Sequence, residues 1–193
     1  ILMLEHYNKS YVLLAPTGKA AARLRETTGR EAFTIHMYLA RIETIGAPDY
    51  IIIDEASMVG VELMSRLVDN ISAWTNLAFI CDEAQLASIS CGNVIQDLID
   101  SGKIKMAQLT KVFRYGSSGL ATIATDTRNG ELGPRTSNQF SDYKFISIDE
   151  SLSDKAVLKT IINVYEDLIN KGYKQDDILV LCPFNKTKIG TYA

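Results

Sequence analysis

Three short and almost wholly apolar runs, separated by stretches with helical spacing, constrain the fold of this chain most strongly. The runs are YVLLA (11–15), DYIIID (49–54) and NLAFIC (76–81). Strands buried on both faces have such continuous apolar sequences, and their alternation with helices is typical of βαβ units. We therefore predict an α/β fold with a mostly parallel sheet flanked by helices.

The same patterns predict the remaining elements. Helices are predicted in GKAAARLRETTG, VELMSRLVDNI, GNVIQDLIDSG and GLATIATDTRNG, and Gly29 is a natural C-terminal cap of the first. Further strands are predicted at 105–109, 142–148 and 177–183. A long helix is predicted between the last two, opening with Ser151 and with Asp154 in a pattern close to a capping box.

The segment NGELGPRTSNQ (129–139) has two glycines, a proline and no periodicity, which is typical of a linker. We predict a first domain over 1–131, a linker over 132–141 and the beginning of a second α/β domain over 142–193. Because residue 1 is Ile rather than Met, we expect that the true start of the chain is missing.

Charge and composition exclude several classes of protein. A net charge of −3 gives no global basic surface, so any nucleic-acid contact must come from a local groove. No apolar run approaches the roughly 20 residues of a membrane helix, and the N-terminus does not resemble a signal peptide. The three cysteines and two histidines have no zinc-site spacing, which favours free thiols in a reducing cytoplasm.

Two carboxylates, Asp54 and Glu55, follow the apolar run of three isoleucines directly. Ligands of open α/β sheets bind at the carboxyl ends of the strands. A Mg²⁺ on nucleotide phosphates takes one or two carboxylates, which suits Asp54. A water that attacks a γ-phosphate needs a base or an orienting group, which suits Glu55. The alternative is an ordinary acidic helix cap.

The segment APTGKAAARL (15–24) invites comparison with the phosphate-binding loop G-x-x-x-x-G-K-[ST], but two required positions differ. Leu13 stands where the opening glycine belongs, and Ala20 where the hydroxyl that holds Mg²⁺ belongs. A lysine at a helix N-terminus remains, which suits a single backbone phosphate, with a solvated lysine in a turn as the alternative.

Two single residues are weaker candidates. Gln85, after the third apolar run, can hydrogen-bond a terminal phosphate or its attacking water, although a plain polar loop is the commoner reading. Arg114, in QLTKVFRYG, would clamp a phosphate, although a lone arginine is usually a surface charge.

In order and spacing, six segments resemble the helicase motifs of the RecD/TraA group of superfamily 1 DNA helicases. They are APTGKAAARL, TIHMYL, IIIDEASM, CDEAQLASISCGNVIQDLIDSG, LTKVFRYG and ILVLCPFNKTKIGT. The resemblance implies a RecA-like P-loop NTPase core, the start of a second RecA-like domain, and ATP-driven 5′-to-3′ movement along single-stranded DNA. It implies ATP and Mg²⁺ as cofactors, and single-stranded DNA and other helicase–nuclease subunits as partners.

The resemblance also assigns roles to residues. Asp54 and Glu55 match the pair that binds Mg²⁺ and activates water, Gln85 matches the γ-phosphate sensor that couples nucleotide to DNA, and Arg114 matches an arginine that reaches the γ-phosphate. The residues that match motifs on the DNA side are Pro16, Thr17, Lys19, Thr34 and His36. For His36 the alternative is a helix-buried imidazole.

The chain departs from the family pattern at several positions. Cys81 stands where glycine is usual, Ala87 where proline is usual, and Ser90-Cys91-Gly92 where a Gly-Pro-Gly turn is usual. Cysteine and alanine provide neither the special backbone conformations of glycine nor the fixed φ angle of proline, so the conformation of that loop is less well determined. No phosphate-binding loop precedes residue 11 and the late motifs do not follow, so we expect this piece to be inactive alone.

Two other functions compete with the helicase. The first is a non-catalytic RecA-like module that only binds DNA or a partner subunit. A G-x-x-x-x-G-K-[ST] loop upstream of Ile1 would support the motor, and its absence the module. The second is another P-loop enzyme, such as a kinase, which does not explain Gln85, Arg114 and the 92–102 segment together.

Overall fold

The computed structural model describes residues 1–82, 84–85, 88–109, 119–131, 140–149, 151 and 153–182. The chain divides into two compact units, Ile1–Lys111 and Val112–Ala193, and each is described by itself. This division groups the helix after residue 118 with the later residues. The predicted domain boundaries stay a prediction, and most of the predicted linker (132–139) lies outside the described residues.

The first unit is built on a four-stranded parallel sheet, as the apolar runs predicted. Its strands are β1 (Tyr11–Ala15), β2 (Ala32–Thr34), β3 (Tyr50–Ile53) and β4 (Asn76–Phe79), in the order β2-β1-β3-β4. Leu13 lies opposite Ala32 on one side and Ile52 on the other, and Ile52 lies opposite Ala78. Because every pairing is parallel, all four carboxyl ends lie at one edge, the carboxyl edge of the sheet.

Helices connect and cover these strands. They are α1 (Leu2–His6), α2 (Gly18–Thr28), α3 (Ile35–Ala40), α4 (Ile42–Ile45), α5 (Val61–Asn70) and α6 (Val94–Asp100). The three helices predicted in this unit are confirmed, and Gly29 caps α2 in the left-handed conformation at φ 66°. The sequence did not predict β2, α1, α3 or α4, because elements of three to six residues are too short to show a period.

The core lies between the sheet and helices α3, α5 and α6. Leu14, Ile51 and Ile53 of the central strands are fully buried, together with Tyr38 of α3 and Leu67 of α5. Each such side chain contributes roughly 1.5–3 kcal/mol by leaving water. The central strands β1 and β3 therefore anchor the loops that follow them.

The second unit contains two helices, α7 (Gly119–Arg128) and α8 (Asp154–Asn170). The carboxylate of Asp142 accepts hydrogen bonds from the backbone N–H groups of Gly119 at 3.1 Å and Leu120 at 3.2 Å. These bonds satisfy backbone donors at the start of α7. An apolar pocket of ≈ 330 Å³ lies between α8 and residues 178–181.

The predicted start of α8 is wrong. The helix begins at Asp154 with Ser153 as its N-cap, and no side chain caps it. Ser151 lies ahead of the helix, where its N–H bonds the carboxylate of Asp149 at 2.8 Å. The serine that resembled a capping residue instead belongs to the preceding turn.

Three strand predictions are also wrong. The described residues within 105–109, 142–148 and 177–182 are assigned to no strand, and residue 183 lies outside the described residues. An apolar run indicates that a segment can be buried, but a strand forms only where a neighbour accepts and donates its backbone hydrogen bonds. Leu109, for example, is 95% exposed.

In the described part of the chain, no helix combines the length and the apolar character that crossing a membrane requires.

Candidate functional site

The described candidate residues all follow the carboxyl ends of the four strands. They are Pro16, Thr17 and Lys19 after β1, Thr34 and His36 at the end of β2, Asp54 and Glu55 after β3, and Gln85 after β4. Arg114 lies outside the described residues.

The strand order separates these residues by their predicted role. The residues matched to DNA motifs follow β2 and β1, and the residues matched to nucleotide motifs follow β3 and β4. Neighbouring strands lie roughly 4.8 Å apart, so three spacings make an edge of about 15 Å. The two sets therefore occupy adjacent halves of one carboxyl edge.

The acidic pair has unusual backbone geometry. The N–H of Asp54 bonds the carbonyl of Leu14 at 2.9 Å, which fixes it beside β1. Glu55 is left-handed, with φ 52° and ψ 39°, and makes no side-chain cap bond to the 3₁₀ turn Ala56–Met58 that follows. This conformation costs a non-glycine residue roughly 1 kcal/mol or more and occurs often at functional sites. It argues against the ordinary acidic helix cap.

Both candidate threonines are helix N-caps. Thr17 Oγ1 accepts the N–H of Ala20 at 3.2 Å, and Thr34 Oγ1 accepts the N–H of Met37 at 3.1 Å. A hydroxyl that accepts a capping bond still has its own proton to donate. Each threonine can therefore begin a helix and also donate a hydrogen bond to a phosphate oxygen.

Lys19 and His36 are both exposed at the carboxyl edge. Lys19 lies in the first turn of α2. His36 lies on α3, whose buried face is formed by Ile35 and Tyr38. The alternative of a helix-buried imidazole for His36 is therefore wrong.

Gln85 lies on the loop after β4. Its backbone N–H bonds the carbonyl of Asp82 at 3.1 Å, and the N–H of Ala84 bonds the Asp82 carboxylate at 3.1 Å. These bonds form a turn that Asp82 stabilises, with the Gln85 side chain exposed.

At the opposite, amino edge of the sheet, charged groups are paired with one another. Arg30 at the entry to β2 donates to Glu5, with 2.7 Å from Nη2 to Oε2, and Tyr11 at the start of β1 donates to Glu5 at 2.6 Å. The hydrogen bond from Arg30, and after it the one from Tyr11, lower the pKa of Glu5 to about 2.

A second pairing on the amino edge joins β1 to β3. The backbone N–H and the hydroxyl of Ser10 both donate to Asp49, at 2.9 and 2.8 Å. These bonds, and then Lys9 at 3.8 Å, lower the pKa of Asp49. The two pairings show that polar groups on the amino edge stabilise the fold by joining the segments that enter the sheet.

The titratable candidate groups at the carboxyl edge are not paired in this way. Within the described part of the chain, none of the four titratable candidate side chains makes a hydrogen bond or an ion pair: those of Lys19, His36, Asp54 and Glu55. Side chains without a partner at the carboxyl edge of a parallel sheet are available to bind a ligand.

The sequence did not indicate two buried polar atoms of the first unit. The hydroxyls of Ser57 and Tyr38 are buried and have no hydrogen-bond partner among the described residues. It also did not predict that the segments after β3 and β4 cross in close contact at Gly60 and Gly92. Two glycines thirty residues apart give no local pattern.

Among the described residues, no group of three or more His, Cys, Asp or Glu side chains could hold a metal ion. A Mg²⁺ bound to nucleotide phosphates needs fewer protein ligands, often one carboxylate, because phosphate and water supply the others. The half-buried Asp54, fixed beside β1 and without a partner in the described part of the chain, fits that requirement.

A parallel sheet with an acidic pair, an amide and a lysine at its carboxyl edge is typical of nucleotide-binding α/β proteins. The AAA domain family matches residues 2–150 of this chain. The chain therefore belongs to the AAA domain family, and its predicted likeness to the RecD group and its α/β fold class are confirmed.

The similarity to individual proteins is as follows. The RecBCD enzyme subunit RecD of Mycolicibacterium smegmatis is 34% identical, over 62% of this chain and 26% of the relative. The ATP-dependent RecD2 DNA helicase of Deinococcus radiodurans is 36% identical, over 54% of this chain and 16% of the relative. The chain thus spans 26% of the first of these proteins and 16% of the second. The crystal structure of a Bacteroides Pif1 in complex with ADP-AlF4 is 18% identical, with a TM-score of 0.48, over 69% of this chain and 39% of that one.

Proposed function

We propose that this chain is part of the motor of an ATP-dependent DNA helicase that moves 5′ to 3′ along single-stranded DNA. The names of the RecD and RecD2 relatives support a DNA helicase. The observation that carries the proposal is the carboxyl edge, where the candidate side chains follow four adjacent parallel strands and the two predicted roles occupy adjacent halves.

In the nucleotide half, Asp54 would hold Mg²⁺, which when bound neutralises charge on the phosphates. Glu55 would orient the attacking water and accept its proton. Gln85 would hydrogen-bond the terminal phosphate or that water. Arg114, predicted from sequence, would supply a positive charge to the γ-phosphate.

In the DNA half, Lys19 in the first turn of the 11-residue helix α2 would attract one backbone phosphate. The hydroxyls of Thr17 and Thr34 would donate hydrogen bonds to phosphate oxygens, while Pro16 and His36 line the same edge. Because phosphates are alike in every sequence, such binding would be independent of sequence and sensitive to salt.

The two halves are joined through the sheet. Strands β1 and β3 are hydrogen-bonded neighbours, and the Asp54 N–H continues their pairing to the carbonyl of Leu14. A shift of the acidic pair would therefore be transmitted to the start of α2. We propose that this connection couples hydrolysis to movement on DNA, in the cytoplasm and alongside other helicase–nuclease subunits.

The test is Glu55→Gln in a longer polypeptide that contains this chain and hydrolyses ATP. The carboxylate that accepts the proton is lost while the shape is kept, so kcat should fall by at least about 100-fold with ATP binding retained. The control is Glu62→Gln, an exposed glutamate in the first turn of α5, which should leave kcat within about 2-fold.

Two results would contradict the proposal. Hydrolysis that persists in the Glu55→Gln variant would exclude Glu55 as the residue that activates water. A longer polypeptide that binds single-stranded DNA without hydrolysing ATP would favour the non-catalytic binding module.

A further inference from the structure

Two loops leave neighbouring strands at the carboxyl edge. The acidic loop (54–60) follows β3 and carries Glu55, and the glutamine loop (80–91) follows β4 and carries Gln85. Near their starts the loops are joined by a backbone hydrogen bond of 3.0 Å from the N–H of Ala56 to the carbonyl of Ile80.

The loops meet again at their far ends. The N–H of Val61, the first residue of α5, bonds the carbonyl of Cys91 at 3.0 Å. On the glutamine side these bonds lie before and after Gln85, at Ile80 and Cys91, and on the acidic side both follow Glu55, at Ala56 and Val61. We call the second meeting point, formed by residues 60–61 and 90–92, the crossing.

The crossing requires glycine on both sides. A Cβ on the buried Gly60 would collide with Oγ of Ser90 and would lie 2.9 Å from its Cβ and 3.1 Å from the carbonyl of Cys91. Gly92 has φ +90°, and a Cβ there would lie 2.9 Å from the Cβ of Val61. A Cβ on Gly18, by contrast, would meet nothing within 4 Å. The two segments thus approach each other with no room for a side chain at either glycine.

We infer that Gly60 is a positioning residue of the nucleotide site, an inference that rests on the proposed function. Its missing side chain lets Ser90 and Cys91 lie against the end of the acidic loop, and this contact holds Glu55 and Gln85 at a fixed spacing. Gly60 and Ser90 each lie five residues beyond the functional residue on their loop, so neither needs to touch the nucleotide. Loops are ordinarily mobile, and a displacement of about 1 Å can cost about 100-fold in rate.

The first test uses Gly60→Ala and the double variant Gly60→Ala with Ser90→Gly in the longer, ATP-hydrolysing polypeptide. Gly60→Ala should lower kcat per active site by about 10-fold or more, with the KM for ATP within about 3-fold. Ser90→Gly removes the colliding Oγ and Cβ, so the double variant should recover most of the lost kcat. Ser90→Gly alone, the matched control, should remain near wild type.

The second test measures hydrogen exchange of the Val61 amide in the 193-residue chain, because this amide donates the bond of the crossing. Exchange should be faster in Gly60→Ala and slowed again in the double variant.

The two tests distinguish failure of the inference about Gly60 from failure of the proposed function. If Gly60→Ala lowers only the fraction of active molecules and leaves kcat per active site unchanged, its role is structural and the inference is overturned. Failure of Ser90→Gly to restore either kcat or Val61 protection overturns it as well. A wild-type polypeptide without ATP hydrolysis overturns the proposed function, whatever the Val61 exchange shows of the crossing.

Discussion

At the scale of single residues, Glu5 and Glu55 illustrate how surroundings assign roles to the same side chain. Glu5, on the amino edge, accepts hydrogen bonds from Arg30 and Tyr11, which hold α1 against the sheet. The carboxylate of Glu55 has no partner in the described part of the chain, and its backbone lies in a costly left-handed conformation. A paired carboxylate stabilises the fold, whereas an unpaired and strained one is available for chemistry.

The paired glutamate predicts a pH dependence of stability. Because Arg30 and then Tyr11 lower the pKa of Glu5 from 4.5 to about 2, its stabilisation is complete above pH 4.5 and is lost as the pH falls toward 2. Urea unfolding of the 193-residue chain across this range should show a shallower loss of unfolding free energy in Glu5→Gln than in wild type. The exposed Glu26→Gln variant should keep the wild-type slope. Equal slopes in all three proteins would exclude the pairing of Glu5 as the source of the pH dependence of stability.

At the scale of elements, helices α5 and α8 have similar amphipathic patterns but different surroundings. Leu63 and Leu67 of α5, and Ile71 at its C-terminal cap, pack in the core beside the sheet. Helix α8 has no buried residue in the described structure, although its apolar side lines the pocket beside residues 178–181. Amphipathic spacing indicates which face a helix can bury, and a neighbouring element decides whether that face is buried.

Because of this difference, shortening a buried side chain of α5 should destabilise the first unit. Leu67→Ala should lower the unfolding free energy of the first unit by about 2–5 kcal/mol, because Leu67 is fully buried and its loss leaves a cavity. The adjacent Val68 is 50% exposed, and Val68→Ala should change the unfolding free energy by less than about 0.5 kcal/mol. Denaturant unfolding of both variants measures the difference, and similar costs would contradict the packing of α5 on the sheet.

At the scale of the whole molecule, the 193-residue chain contains an acidic pair and a candidate phosphate sensor but no G-x-x-x-x-G-K-[ST] segment. The backbone amides and the lysine of that loop supply much of the affinity for nucleotide phosphates. The chain therefore has residues that we propose act on a bound nucleotide, without the loop that usually holds the nucleotide.

We accordingly predict no measurable ATP hydrolysis by residues 1–193 alone. Phosphate release from the purified chain should equal that of its Glu55→Gln variant, with and without single-stranded DNA. Turnover clearly above this control would show that another part of the chain binds the nucleotide.

The sequence by itself determined β1, β3, β4, the longer helices and the polar residues that follow the strands, because apolar density, helical period and caps such as Gly29 are properties of neighbours along the chain. It wrongly predicted strands at 105–109, 142–148 and 177–183, because strand formation depends on a pairing partner elsewhere. Only the tertiary structure decided the order β2-β1-β3-β4, which divides the carboxyl edge into two halves. It alone brought Gly60 against Ser90, since contacts between residues distant in sequence depend on how the whole chain packs.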